Sequence, residues 1–189
     1  GKGTRLTAHF KKVSATELGY APEDVDHWID LARQQFANPA SHVLDAATLR
    51  TAQFRTVKGG YQIAAVDAAL DRLDDAFADQ EVNRLLTRLG HQGARERINE
   101  IRELLLGRIA RPKRQRFDRQ PWRLKGYSVR QVDAMLAVIS AELEAGGVVT
   151  VAALRQQTFS PRWAGYTEAQ VDTFLDRFIQ YLQLSRALG

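Results

Sequence analysis

The stretch Gly165-Tyr166-Thr167-Glu168-Ala169-Gln170-Val171-Asp172 carries the fold of this chain in miniature. Its Gly-Tyr pair, followed at a fixed distance by Val-Asp, occurs three more times. The other copies are Gly19-Tyr20 with Val25-Asp26, Gly60-Tyr61 with Val66-Asp67, and Gly126-Tyr127 with Val132-Asp133. An apolar residue stands four positions after each Val: Ile29, Leu70, Leu136 and Leu175. Such a recurrence in 189 residues is an internal repeat, and a repeat governs how every other segment is assigned.

Each copy reads as the start of a helix. Thr167 with Gln170, and Ser128 with Gln131, have the spacing of a capping box. Pro22 falls at a first helical position, and Glu23-Asp24 lie in the first turn, where the helix dipole favours acids. With the caps placed there, Tyr precedes the cap and Val is the fourth helical residue, the two positions of a hydrophobic staple. The Gly before Tyr is expected to supply a φ that other residues resist. Apolar residues continue at helical spacing, as in Val171, Leu175, Phe178, Leu182 and in Val66, Leu70, Leu73, Phe77.

The copies fall into pairs. Phe10 and Phe117 lie nine residues before their Gly, whereas Phe54 and Phe159 lie six before theirs. Asp45 and Thr150 are expected to cap a short upstream helix, with Leu49-Arg50 matching Leu154-Arg155. Residues 10–78 thus resemble 117–183. The second motif helix extends towards Leu89, Gly90-His91-Gln92-Gly93 breaks it, and a further helix covers about 94–110 until Pro112. Extended pieces are expected only at Phe54–Val57 and Val148–Val149. The expected fold is all-α: four turn-plus-amphipathic-helix repeats in a duplicated pair, with a helical linker. The domains are 1–78, the first repeat pair; 79–116, a helical and basic linker; and 117–189, the second pair.

The absence of cysteine excludes disulfide scaffolds, thiolate zinc sites and cysteine nucleophiles. No apolar run approaches the roughly 20 residues of a membrane span, and Gly1-Lys2-Gly3 opens no signal-peptide core. The formal net charge of +5 hides an asymmetry. Residues 1–12 carry +4, residues 108–125 carry +7, and all the rest together carry −6. Phosphate, on a membrane surface or on nucleic acid, is therefore to be sought at those two patches.

No catalytic constellation is found. His9, His27, His42 and His91 lack metal-ligand spacing, and no phosphate loop, dinucleotide turn or nucleophile elbow is present. Asp26, Asp67, Asp133 and Asp172 are read as structural, accepting backbone N–H groups or meeting basic side chains. The reading is non-enzymatic, with no cofactor and no metal.

Two stretches carry a family resemblance. One is Leu49-Arg50-Thr51-Ala52-Gln53-Phe54-Arg55-Thr56-Val57-Lys58-Gly59-Gly60-Tyr61, continuing through Val66-Asp67 to Leu73. The other is Leu154-Arg155 through Phe159, Gly165-Tyr166 and Val171-Asp172 to Arg177. They resemble the DivIVA amino-terminal domain, in particular the actinobacterial proteins with several copies of it. The resemblance implies a cytoplasmic scaffold of bacterial cell division or polar growth, peripheral at the inner membrane of septum or pole. It implies cell-division or cell-wall-synthesis proteins as partners, and an anionic membrane surface. It also implies that an exposed Phe followed by a basic residue touches lipid. Phe54 with Arg55, Phe159 with Arg162 and Trp163, and Phe10 with Lys11 and Lys12 are the matching positions, with packing in the core as the competing role for each Phe. Single-copy members follow the motif with a long coiled coil, for which this chain has no sustained heptad. The expectation is therefore an intrachain pseudo-dimer, copy one covering copy two and copy three covering copy four.

The alternative is a nucleic-acid binder using the segment 108–125. Its Arg108, Arg111, Lys113, Arg114 and Arg116 would contact phosphate, with Phe117 and Trp122 available for stacking. The acidic motif helices, with Asp71, Asp74, Asp75, Glu142 and Glu144, argue against a recognition helix.

Overall fold

A computed structural model describes residues 10–41, 43–44 and 52–189. Asp45, Leu49-Arg50, His9 and His42 lie outside the described residues. The described chain is mostly helical. Its elements in order are β1 (Leu18–Tyr20), α1 (Pro22–Ala37), a 3-10 turn at Pro39–Ser41, β2 (Thr56–Lys58), α2 (Ile63–Ile109), β3 (Lys125–Tyr127), α3 (Val129–Ala145), α4 (Val151–Arg155), β4 (Pro161–Trp163) and α5 (Glu168–Leu188). The chain divides into two compact units, residues 1–81 and 82–189.

The first unit holds β1, α1, β2 and the beginning of α2. β1 and β2 pair antiparallel, with Gly19 opposite Val57. Val25, Ile29 and Ala32 of α1 meet Val66, Leu73 and Phe77 of α2 in one buried cluster, together with Leu44. Phe36 stacks on Phe77 with 4.6 Å between ring centroids.

α2 has one break in its helical geometry, at Gly90, where φ is 70° and ψ 177°. Glycine occupies that left-handed φ without the steric cost a side chain brings. The helix on either side of Gly90 is not a free linker. Val82, Ile101 and Leu105 are buried in the core of the second unit, with Leu85, Leu86, Ile98 and Ile109 against it. The stretch expected as a separate linker from 79 to 116 is thus largely part of the second unit, because its apolar stripe has a core to enter.

In the second unit β3 and β4 pair antiparallel, with Gly126 opposite Arg162. Val132, Leu136, Ile139 and Leu143 of α3 pack with Val171, Phe174, Phe178 and Leu182 of α5. Thr150 caps α4, its hydroxyl accepting from the Ala153 N–H at 3.1 Å. The motif valines Val25, Val66, Val132 and Val171 are all fully buried. Each such burial is worth about 1.5–3 kcal/mol, so the position tolerates no polar residue.

The strands correct one expectation. They fall on the Gly-Tyr pairs of copies one and three and on 56–58 and 161–163, while Val148–Val149 forms none. Three-residue strands carry no alternation long enough to register in a sequence. The loop at 146–149 is held instead by Glu142, whose carboxylate accepts from the N–H groups of Gly147, Val148 and Val149 at 2.9, 3.0 and 3.2 Å.

Candidate functional site

The motif residues converge where two strands cross. In the first unit the Tyr20 N–H donates to the Tyr61 carbonyl at 3.0 Å, and the Tyr61 N–H returns the bond at 2.9 Å. Tyr127 and Tyr166 make the same exchange in the second unit, at 3.0 and 2.9 Å. The backbones approach so closely that a Cβ on Gly60 would lie 2.5 Å from the Tyr20 oxygen, and one on Gly165 2.5 Å from the Tyr127 oxygen. Gly19 and Gly126 face the opposing backbone in the same way. None of these four has a positive φ, so the expected conformational reason for glycine is replaced by a steric one.

Beyond the crossing, each tyrosine reaches the aspartate of the other copy. Tyr20 donates to Asp67 at 2.9 Å and Tyr61 to Asp26 at 3.0 Å. Tyr127 donates to Asp172 at 2.9 Å and Tyr166 to Asp133 at 2.8 Å. The expected backbone and basic partners occur at Asp133, which also accepts from the Arg114 N–H at 2.8 Å and pairs with Arg116 at 3.4 Å. Burial first, and the adjacent carboxylate second, raise all four phenols above their ordinary value, Tyr166 to about 12. Asp172 is also raised, by burial.

The four phenylalanines pack on those tyrosines. Centroid separations are 5.4 Å for Phe10–Tyr61, 5.3 Å for Phe54–Tyr20, 5.3 Å for Phe117–Tyr166 and 5.1 Å for Phe159–Tyr127. Phe117 is buried, and the other three are half-buried against the two cores. Phe10, Phe54 and Phe159 thus each have an aromatic partner within the fold, as the competing core role expects. Arg55 is likewise engaged inside the chain. Its guanidinium grips Asp24 through Nε at 3.2 Å and Nη2 at 3.1 Å, which holds that carboxyl below its ordinary value. Lys11 and Lys12 are exposed, but their backbone is tied down: the Lys11 carbonyl accepts from the Gln62 N–H at 2.9 Å, and Lys12 bridges to Tyr61.

The capping boxes are also rearranged. Ser128 accepts from the Gln131 N–H at 3.3 Å, but the Gln131 side chain does not return to Ser128. It clamps Ser160, accepting from its N–H at 2.7 Å and donating to its hydroxyl at 3.1 Å. Gln170 clamps Asp118 in the same manner, with both distances 2.8 Å. Thr167 makes no side-chain cap, and its hydroxyl donates to the Asp118 carbonyl. These glutamines bind the residue after a phenylalanine, a long-range partner invisible to local spacing.

The basic segment is partly consumed by the fold. Arg108 lies over the Phe117 ring at 5.2 Å, and burial, then the charges of Arg111 and Arg177, weaken its hold on its proton. Arg116 donates to the Ile109 and Arg111 carbonyls, both at 3.2 Å, besides pairing with Asp133. The side chains of Arg111, Lys113 and Arg114 are exposed.

The β3–β4 end is different. Trp122 is 75% exposed, Trp163 63% and Leu124 53%. Arg123 lies over Trp122 at 5.2 Å and Lys125 over Trp163 at 4.9 Å, while Arg162 is exposed beside them. Of the expected contact residues, Arg162 and Trp163 stand here, joined by Leu124, which no spacing had singled out. No family model, curated protein or solved structure matches the chain. Among the described residues no helix is long and apolar enough to cross a membrane.

Proposed function

We propose that the chain is a non-enzymatic scaffold of bacterial cell division or polar growth, built from two DivIVA-like repeat pairs. In this reading each pair is a fused pseudo-dimer: copy one covers copy two, and copy three covers copy four. The reciprocal Tyr–Asp bonds and the facing glycines support it, because a twofold exchange of identical contacts is what an ancestral dimer interface would leave behind.

The observation that carries the functional half is the exposed patch of Trp122, Leu124 and Trp163 among Arg123, Lys125 and Arg162. Solvent-facing tryptophans are costly unless something covers them, and aromatic rings beside cations suit the headgroup boundary of an anionic membrane. The chain would then sit peripherally at the inner membrane, presenting its remaining surface to cell-division or cell-wall-synthesis proteins. The test is imaging of the tagged protein in its native host. Septal or polar foci are expected, and a diffuse signal would sink the proposal.

The nucleic-acid reading draws on the same segment. With Arg108 and Arg116 committed to Phe117 and Asp133, it has fewer cations to offer phosphate. Duplex and single-stranded DNA binding across a salt series separates it from vesicle binding.

A further inference from the structure

A groove of about 630 Å³ lies within the second unit, between the end of α2 and the beginning of α5. Its floor is apolar: Leu105, Phe117 and Phe174 are all buried. Leu104 lines it while 55% exposed, and Gly107 leaves it open, since a Cβ there would meet nothing within 4 Å. Arg108, Arg111 and Arg177 also line the groove, with Glu103 beside them; burial and then Arg111 and Arg177 lower the proton affinity of Arg108, while Asp118 acts the other way. Among the described residues, neither Arg111 nor Arg177 has an ion-pair partner. Three guanidinium groups against the single lining carboxylate of Glu103 leave the groove with a net positive charge, and an anionic ligand relieves the remaining repulsion.

We infer that this groove docks an acidic peptide segment of a partner protein, with an apolar side chain on the Leu105–Phe117–Phe174 floor and flanking carboxylates on Arg111 and Arg177. Guanidinium forks match carboxylates in geometry as well as charge. The volume falls in the range of sites that enclose a ligand and suits an anchor side chain with its neighbours. Phosphate alone leaves the leucine and phenylalanine surface uncovered. The inference rests on the scaffold reading and specifies the chemistry of one of its partners.

The test uses the full chain as bait for a random peptide library displayed on phage, followed by anisotropy of the enriched peptides as fluorescein-labelled synthetics. The expected peptides carry a large apolar residue flanked by Asp or Glu, and their affinity falls with salt. The double variant Arg111→Glu/Arg177→Glu is expected to weaken them by about tenfold or more. Gly107→Leu, which fills the groove from an open position, is expected to do the same, and circular dichroism checks that both variants remain folded. Peptides without acids, or equal binding by both variants, overturn the inference. So does anionic-vesicle sedimentation that the arginine variant loses while keeping its peptides. Each of those results leaves the localisation test untouched, and a diffuse image in the host leaves the groove result untouched.

Discussion

The phenolic oxygen of Tyr166 stands 2.8 Å from a carboxylate oxygen of Asp133, thirty-three residues earlier in the chain. The same carboxylate takes the Arg114 N–H and the Arg116 guanidinium, and the side chains of Arg116 and Asp133 are only 13% and 11% exposed. Tyr166→Phe removes one donor from a buried charge and is expected to cost about 2 kcal/mol. Tyr61→Phe removes the equivalent bond to Asp26, which is exposed, so water replaces most of it. Urea unfolding of the two variants measures the contrast, and equal losses would contradict it.

These phenols also make the fold sensitive to alkali. An acid whose folded pKa lies above its unfolded value binds its proton more tightly in the native state. Its contribution is complete below the unfolded value near 10 and disappears as pH rises through the folded value, about 12 for Tyr166. Stability is therefore expected to fall between about pH 10 and 12. Phenolate absorbance, followed beside helical dichroism, should show the motif tyrosines ionising together with unfolding. Ordinary titration near 10 in the intact fold would refute this.

Glycines separate into two kinds that a substitution series resolves. A Cβ on Gly60 would press on the Tyr20 carbonyl at 2.5 Å, and strand backbone cannot swing aside as a flexible side chain does. Gly60→Ala is expected to cost more than about 3 kcal/mol, at the upper end of single-residue effects. Gly107, inside α2 with open space where its Cβ would be, is expected to gain about 0.5–1 kcal/mol on becoming Ala. Thermal unfolding distinguishes the two directly.

The motif residues were legible because their roles are local or repeated. Tyr before the cap, a buried Val at the fourth helical position and the break at Gly90 all follow from spacing within one turn. Their cross-partners were not legible. Tyr20 to Asp67 spans 47 residues and Gln170 to Asp118 spans 52, and no periodicity links them. The capping boxes misled for the same reason: Gln131 has the right spacing for Ser128, yet Ser160 offers it both a donor and an acceptor. The phenylalanines were ambiguous for a chemical reason. A ring beside a basic residue reads equally as a membrane anchor or as core, and spacing does not show that each ring meets a tyrosine of the other copy. Two of the five proposed phosphate contacts, Arg108 and Arg116, were drawn into the fold by Phe117 and Asp133, which charge counting ignores.

Glu142 predicts an acid limit. Burial alone would raise its pKa, but the N–H groups of Val148, Val149 and Gly147, with Arg186 nearby, outweigh burial and hold it below the ordinary value. A depressed folded value contributes stability above the unfolded value near 4.5, and that contribution is lost as pH falls through the folded value. Glu142→Gln is expected to lose about 2 kcal/mol at neutral pH, and the gap to the parent should close as the solution is acidified below about pH 4.5. Urea midpoints measured from pH 7 downward provide the check. A gap independent of pH would assign Glu142 a packing role only.

Trp122 and Trp163 should contribute to binding and little to folding. Both rings are largely exposed, and their recorded partners are the cations Arg123 and Lys125, so Trp122→Ala and Trp163→Ala are expected to leave stability within about 0.5 kcal/mol of the parent. At a membrane boundary the same rings would enter an apolar phase, where a large apolar side chain is worth about 1.5–3 kcal/mol. Each substitution should then lower affinity for vesicles rich in anionic lipid by about tenfold, additively if the rings act independently. Replacing Arg123, Lys125 and Arg162 by Gln should weaken binding at low salt and matter less at high salt, where exposed charges are screened within about 10 Å. Phe54→Leu, which alters a ring held between Tyr20 and Trp28, should cost stability without changing vesicle affinity. Sedimentation with vesicles of graded anionic content tests the set. Full retention of binding by the double tryptophan variant would move the membrane contact away from the β3–β4 end.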